Sequence, residues 1–260
     1  MGKMTVVSHL LSSTGTHPGA LLHLLRAAPA IYREYKKFRQ MAGPDVDVKL
    51  THLCVRDRRA GAGTVAGHYF HQDLFVARRI YENRPKRHVD VGSAIHGFVA
   101  HVAVFREIEV FDIRVLPDTV HNIRFKQMDL QKIQPEYRGY CDSLSCLHAL
   151  EHFGLGRYGD ELDVHGHVKG LANLASMLQP GGRLYLSVPI GRERVEFNAH
   201  RVFNPATILD LMRQQFDLAN FVYVNDSGDL IENVKLTDSA IAQILQEVVY
   251  GCGIFEAVKR

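Results

Sequence analysis

His88-Val89-Asp90-Val91-Gly92-Ser93-Ala94-Ile95-His96-Gly97-Phe98 passes from a short apolar run, through a glycine, into residues with helical spacing. His88 to Gly92 reads as a strand and Ala94 to Phe105 as a helix, so Gly92 stands at a strand-to-helix turn. In an open parallel sheet such a turn lies beyond the carboxyl end of its strand, where ligands bind. The backbone must approach a ligand closely there, which favours glycine. A dinucleotide site asks for G-x-G-x-x-G, whose extra glycines admit a pyrophosphate at a helix N-terminus. Here Gly92 is followed by Ser93 and Ala94, and the next glycine is Gly97. The turn is not shaped for a diphosphate, and by itself it is also what an ordinary strand–helix junction carries.

The residues that follow give the turn its meaning. Glu109 to Ile113 reads as a second strand, Ile123 to Met128 as a third that stops at Asp129, and Asp142 to Leu147 as a fourth. A helix is expected from about Val168 to Leu178. Gln179-Pro180-Gly181-Gly182 then breaks the chain before a fifth strand, Arg183 to Pro189. Phe216 to Val224 and Gly251 to Val258 complete the strands, separated by a helix-like Ser239 to Val249. Strands alternating with helices predict a mostly parallel sheet covered on both faces. Asp112 at the second strand end suits a ribose diol, and Asp129 at the third suits an exocyclic adenine amine. With Gly92 they describe a nucleoside pocket without a diphosphate. S-adenosylmethionine (SAM) is the common nucleoside cofactor lacking phosphates. Aspartate is also a frequent turn former, so each strand end alone would mean little.

Composition narrows the classes. In 260 residues a formal net charge of +3 gives no basic stripe of the kind nucleic acid requires. Four scattered cysteines, Cys54, Cys141, Cys146 and Cys252, form no C-x-x-C pair, which argues against a disulfide framework or a structural zinc site. Cys141 and Cys146 lie in an apolar run and read as small core residues. No apolar run reaches the roughly 20 residues of a membrane span. His9, Ser12 and Ser13 interrupt the N-terminal apolar stretch, so a cytoplasmic setting is expected. Residues 1–47 read as a helical appendage to a domain spanning 48–260. Leu21, Leu24, Leu25, Ala28, Ile31, Tyr32, Tyr35 and Phe38 recur at helical spacing until Gly43-Pro44. Such a helix docks on its own domain or joins a homodimer; a membrane-surface helix is the alternative. A second helix is expected after Tyr69-Phe70-His71-Gln72-Asp73, closing at Asn83-Arg84-Pro85. Those five residues either cap a packed helix or close over a ligand.

Over roughly residues 87–260 the chain resembles the class I SAM-dependent methyltransferases. His88 to Phe98 is similar to their first motif, Glu109 to Ile113 to the ribose-binding second, and Gln127 to Leu130 to the adenine-binding third. Asp142 to His152 and Leu178 to Leu184 follow in the family's order. A narrower resemblance covers Tyr69–Asp73, His88–Ser93, Ser143–Asp160 and Phe197–Arg201. It is to a domain-of-unknown-function family often found among bacterial surface-polysaccharide genes. Where that family often carries arginine and aspartate in the first turn, this chain has Ala94 and His96. The resemblance implies a Rossmann-like α/β fold with a seven-stranded, mostly parallel sheet and an antiparallel last strand. It also implies SAM contacts from Asp90, Gly92, Ser93, Gly97, Asp112, Ile113, Arg114, Asp129, Leu130 and Cys146.

The candidate chemistry lies after the fourth strand, in His148-Ala149-Leu150-Glu151-His152. One helical turn would bring His148 and His152 to the same face. Methyl transfer to an oxygen needs a general base, and histidine suits it. His152 is the first choice, His200 the second, and Glu151 would orient either ring or bond the substrate. The same histidines also suit structural bonds, or a metal with Asp160, Asp163, His165 or His167, although no metal is assigned. Arg192, Arg194 and Arg201 would contact an anionic acceptor. The leading expectation is a sugar or glycan O-methyltransferase taking a small-molecule or glycan acceptor. A catalytically silent SAM-fold scaffold in a glycan-assembly complex is the alternative. A nicotinamide oxidoreductase is disfavoured by the missing glycines.

Overall fold

The protein is described from a computed structural model covering residues 18–51, 53–54, 61–63, 65–132 and 135–260, with side chains from Arg26 onward. The stretch around His9 and the side chains of Leu21, Leu24 and Leu25 lie outside the described residues. Two compact units share the chain, Met1–Thr64 and Val65–Arg260. The first carries α1, Pro18–Ala42. It stops where Gly43 turns left-handed (φ 73°), as helix C-termini favour. Among the described residues no helix is long and apolar enough to cross a membrane.

The second unit carries α2 (His68–Asn83), β1 (His88–Val91), β2 (Ile108–Asp112), β3 (Ile123–Gln127) and β4 (Cys141–Leu147). Then come α4 (Gly166–Met177), β5 (Leu178–Ile190), the hairpin β6 (Arg194–Glu196) and β7 (His200–Val202), and α5 (Pro205–Met212). The short α3, Ala100–Ala103, lies between β1 and β2. β8 (Phe216–Val224), β9 (Leu230–Ile231), α6 (Asp238–Glu247) and β10 (Gly251–Lys259) complete it. The main sheet runs β3-β2-β1-β4-β5-β10-β8-β9. β1 to β5 are mutually parallel, while β10 is antiparallel to both neighbours. Order reverses between β1 and β4, which creates the crevice where such sheets bind ligands.

Burial explains the layers. Phe75, Val76 and Ile80 of α2 pack with Val99 and Val102 on one face of the sheet. Leu171 and Leu174 of α4, Ile208 of α5 and Ile244 of α6 pack on the other. β1 is buried along its whole length, as a central parallel strand must be.

Four expectations need correction. The sheet has eight strands rather than seven, because Leu230–Ile231 adds an edge too short to show alternation. The helix expected over Ala94–Phe105 begins as a π-helical turn, Ile95–Val99, distorted at Gly97 (φ −109°, ψ −113°), before α3. A Cβ on Gly97 would sit 2.8 Å from the Asp73 carboxylate, so α2 packs against this turn and deforms it. The break at Gln179–Gly182 falls inside β5 as a bulge, where pairing jumps from Cys141–Leu178 to Ser143–Arg183. The β6–β7 hairpin and α5 were not anticipated. α5 is capped by Asn204, whose side chain accepts from the Ala206 amide at 3.0 Å, followed by Pro205.

Candidate functional site

A cavity of about 510 Å³ opens beyond the carboxyl ends of β1 to β4. Gly92, Asp112, Ile113, Arg114, Asp129, Leu130, His148 and His152, eight of the residues singled out from sequence, all line it. Phe111, Met128 and Phe153 add apolar walls. The mix of apolar wall with a few polar groups is that of a small-molecule site. Gly92 has φ 75°, and a Cβ there would meet the Ala149 Cβ at 2.8 Å. Only glycine fits that turn.

The two aspartates differ in their freedom. Asp112 accepts from the Arg114 amide at 2.8 Å and from its guanidinium at 3.0 and 2.5 Å. Oδ1 is doubly occupied, and one lone pair remains on Oδ2. Arg114 lies over the Tyr158 ring, 4.9 Å from its centroid, so these two roof the Asp112 side of the cavity. Asp129 Oδ1 accepts from the Gln131 amide at 2.9 Å. Asp160, a possible metal ligand from sequence, holds the loop together instead. Its Oδ2 accepts from the Gly154 amide at 2.7 Å.

Asp90, Ser93, Gly97 and Cys146 are not among the residues that line this cavity. Cys146 is fully buried on β4 and packs in the core. Asp90 accepts from Ser93 Oγ at 2.8 Å, the Ser93 amide at 3.2 Å and Ser145 Oγ at 2.6 Å. His88 joins the same face through Ser143 and Ser145, at 2.8 and 3.2 Å. Register pairs His88 with Ser143 and Asp90 with Ser145, which makes this a polar ladder across β1 and β4. Burial pushes Asp90 up to about 7 and His88 down to about 3. The ladder therefore clamps the Gly92 turn from behind.

The histidine cluster is joined differently from the expected helical turn. His148 leaves β4 with φ 48°, a left-handed conformation costly for a β-carbon residue and characteristic of functional sites. A 3₁₀ turn, Leu150–His152, follows. Glu151, 1% exposed, bridges the rings: Oε1 is 2.9 Å from His148 Nδ1 and 3.7 Å from His152 Nε2. Glu151 thus faces the histidines rather than the cavity. His152 Nδ1 donates to the Ala199 carbonyl at 2.7 Å, which leaves Nε2 as the basic nitrogen. Burial holds its pKa below the ordinary 6.5.

His200 stands off the cavity, its ring 6.5 Å from that of His152 and 5.2 Å from that of Tyr250. Arg201 is buried and donates to the carbonyls of Phe153 at 2.6 Å, Glu151 and Val164 at 3.3 Å and Asp163 at 3.4 Å. Arg194 pairs with Glu196 at 2.8 Å. Arg201 is therefore a structural strut rather than an anion contact. The Tyr69–Asp73 segment is a packed helix start rather than a lid. Gln72 and Asp73 are buried, and the Ser187 hydroxyl donates to Gln72. Tyr158, Phe153 and His68, whose ring stacks on His148 at 5.3 Å, were not assigned from sequence. Tyr158 lay inside a run quoted only as a block, and no spacing signal linked His68 to a residue 80 positions on.

A family model described as Caenorhabditis protein of unknown function, DUF268, matches residues 89–249. No curated protein matches the sequence. Among solved structures, the chain is similar to the 1,6-didemethyltoxoflavin-N1-methyltransferase of Burkholderia thailandensis, which holds 1,6-didemethyltoxoflavin and S-adenosylhomocysteine. Identity is 14%, with 72% of this chain and 78% of that one covered, at a TM-score of 0.50. It is also similar to the N-methyltransferase NodS of Bradyrhizobium japonicum in complex with S-adenosylhomocysteine. There identity is 13%, coverage 74% and 88%, and the TM-score 0.48. At such identity the likeness to the first is one of fold, and it bears out the class I methyltransferase-like sheet.

Proposed function

The chain belongs to the DUF268 family, and on that footing we propose that it is a SAM-dependent methyltransferase acting on an acceptor oxygen. One observation carries the reading: Gly92, Asp112 and Asp129, at three successive strand ends, face a single cavity at the sheet's switch point. Phe111, Met128 and Phe153 supply apolar surface for an adenine ring, and the free lone pair of Asp112 suits a ribose hydroxyl. The cavity has no glycine-rich cradle for a diphosphate, so the donor set fits an adenosyl group better than a dinucleotide. Coverage of Asp112 by Arg114 means that this arginine shifts or shares the carboxylate when the ribose binds.

Bound SAM would supply an electrophilic methyl group on its sulfonium. The protein's part is to hold the acceptor hydroxyl in line and to take its proton. His152 Nε2 is the proton acceptor, because Ala199 holds the hydrogen on Nδ1 and burial keeps the ring neutral near pH 7. The Glu151 carboxylate, 3.7 Å from Nε2, stabilises the imidazolium that results. The acceptor oxygen would receive that methyl group as its proton passes to His152 Nε2, with S-adenosylhomocysteine as the by-product. We take the acceptor to be a sugar or glycan precursor. Exposed Tyr69 lies against His148 and half-exposed Tyr250 against His68 and His200, and aromatic rings suit the C–H faces of a pyranose.

Calorimetry with SAM and S-adenosylhomocysteine, followed by labelled methyl transfer to nucleotide-sugars and oligosaccharides, tests this. Saturable binding and acceptor-dependent label are expected. No binding of either nucleoside, or saturation by NADH in their place, overturns the cofactor. Binding without turnover across the panel overturns the transferase reading and leaves a scaffold.

A further inference from the structure

We propose that His68, His148 and Cys252 form a binding site for a zinc-class divalent ion beside the cavity, with one coordination position left open. Their ligand atoms all lie within 4.8 Å of one another, although they come from the start of α2, the exit of β4 and the start of β10. Nothing in the proposed methyl transfer requires Cys252 or His68.

His148 carries the argument. Its Nδ1 is committed to Glu151 Oε1 at 2.9 Å. Its Nε2 is buried, in a side chain only 5% exposed, with no well-formed hydrogen bond and only the Cys252 thiol facing it, a thiol that itself donates weakly to Gln72 Oε1 at 3.8 Å. A buried imidazole nitrogen without a partner costs free energy unless something fills it. Glu151 leaves a second atom in the same condition, the buried Oε2. A carboxylate that fixes one histidine nitrogen so that the other can bind a metal is the usual support for a ligand imidazole. The His68 ring now stacks on that of His148, 5.3 Å away with 3° between their planes, so it must rotate to bring its nitrogen to a shared ion. The site differs from the metal arrangement considered from sequence, since Asp160, Asp163, His165 and His167 do not join His148.

Donor chemistry sets the ion. Two imidazoles and one thiolate favour zinc over the hard ions magnesium and calcium. Zinc–nitrogen bonds of about 2.0–2.1 Å and zinc–sulfur bonds of about 2.3 Å require the ligand atoms to close by up to about 1.5 Å. His68 begins α2 and is half-buried, so it has room to make that movement. On binding, the Cys252 thiol releases its proton to solvent as the sulfur–metal bond forms. Three protein ligands with a free position are the pattern of sites that hold water or substrate. Because His148 also lines the cavity, an acceptor heteroatom in that position would stand beside the methyl donor. This last role rests on the proposed methyl transfer; the ion site does not.

The full chain carrying Cys54→Ser, which removes the exposed thiol, should be loaded with one equivalent of zinc or cobalt, desalted and analysed. One retained metal per chain and a thiolate-to-cobalt charge-transfer band are expected. His68→Ala and Cys252→Ser should each weaken zinc at least tenfold, and Cys252→Ser should abolish the band. Glu151→Gln should weaken zinc by about 10–100-fold. If Cys252→Ser fails to fold, the band in the Cys54→Ser protein and the His68→Ala affinity decide the matter. No retained metal leaves a histidine–carboxylate ion pair only and overturns the proposal. Metal that survives His68→Ala unchanged, or a band that survives Cys252→Ser, overturns it as well. S-adenosylhomocysteine calorimetry on the metal-free protein keeps the two proposals separate, since it reads the nucleoside cavity alone.

Discussion

His152 is the residue on which the chemistry turns. Its replacement by alanine should lower kcat by about 10²–10⁴-fold while leaving S-adenosylhomocysteine affinity within a few-fold. The base must be neutral and its folded pKa is depressed by burial, so kcat should rise with pH through a single inflection below 6.5. An inflection above 6.5 would exclude this ring as the base. Asp112→Asn should weaken SAM about tenfold or more, since a charge-assisted hydrogen bond contributes about 1.5–3 kcal/mol, measured by calorimetry. Behind the site, His88 and Asp90 make opposite contributions to stability. Asp90 is raised from 3.8 to about 7, so its contribution is full below 3.8 and is lost as pH rises through 7. His88 is lowered from 6.5 to about 3, so its contribution is full above 6.5 and is lost as pH falls through 3. Between pH 4 and 6.5 the two slopes nearly cancel. Asp90→Asn should leave stability rising with pH by up to about 1.4 kcal/mol per unit, and His88→Gln should leave it falling. Denaturant titrations across that range would show parallel curves if the ladder is titrated otherwise.

At the level of elements, the cavity wall depends on how α4 and the β6–β7 hairpin hold the loop after β4. Gly170 of α4 lies under Phe153, and a Cβ there would come within 2.4 Å of the ring. Gly170→Ala should cost about 1–3 kcal/mol by overpacking and weaken S-adenosylhomocysteine binding, because Phe153 lines the cavity. Unchanged affinity would show that this wall is not used. Arg201 on β7 ties the carbonyls of residues 151, 153, 163 and 164 into one unit. Arg201→Met should lose about 2–3 kcal/mol in chemical denaturation, since several buried carbonyls lose their donor. Lysine should recover only part, because it lacks the planar fork.

For the whole Val65–Arg260 unit, ligand binding and stability are linked. S-adenosylhomocysteine at 100 times its Kd should add about 2.7 kcal/mol and raise Tm by about 5–10 °C, whereas NADH should not. A thermal scan with equal shifts for both would remove the discrimination against a diphosphate. The strand–helix alternation, the glycine turn and the aspartates at 112 and 129 were legible in the sequence because each is a local property. Periodicity, turn chemistry and strand-end position are all written within a dozen residues. The sequence alone therefore determined a parallel α/β sheet and the main lining of its cavity. Tertiary structure decided what depends on neighbours far along the chain. It turned Asp90 from a ligand contact into a buried clamp through Ser145, and Arg201 from an anion contact into a strut between loops. It also set His148 against His68 and Cys252, 80 and 104 positions away. Burial and partnership, which fix the charge and freedom of a polar group, arise only when distant strands and helices meet.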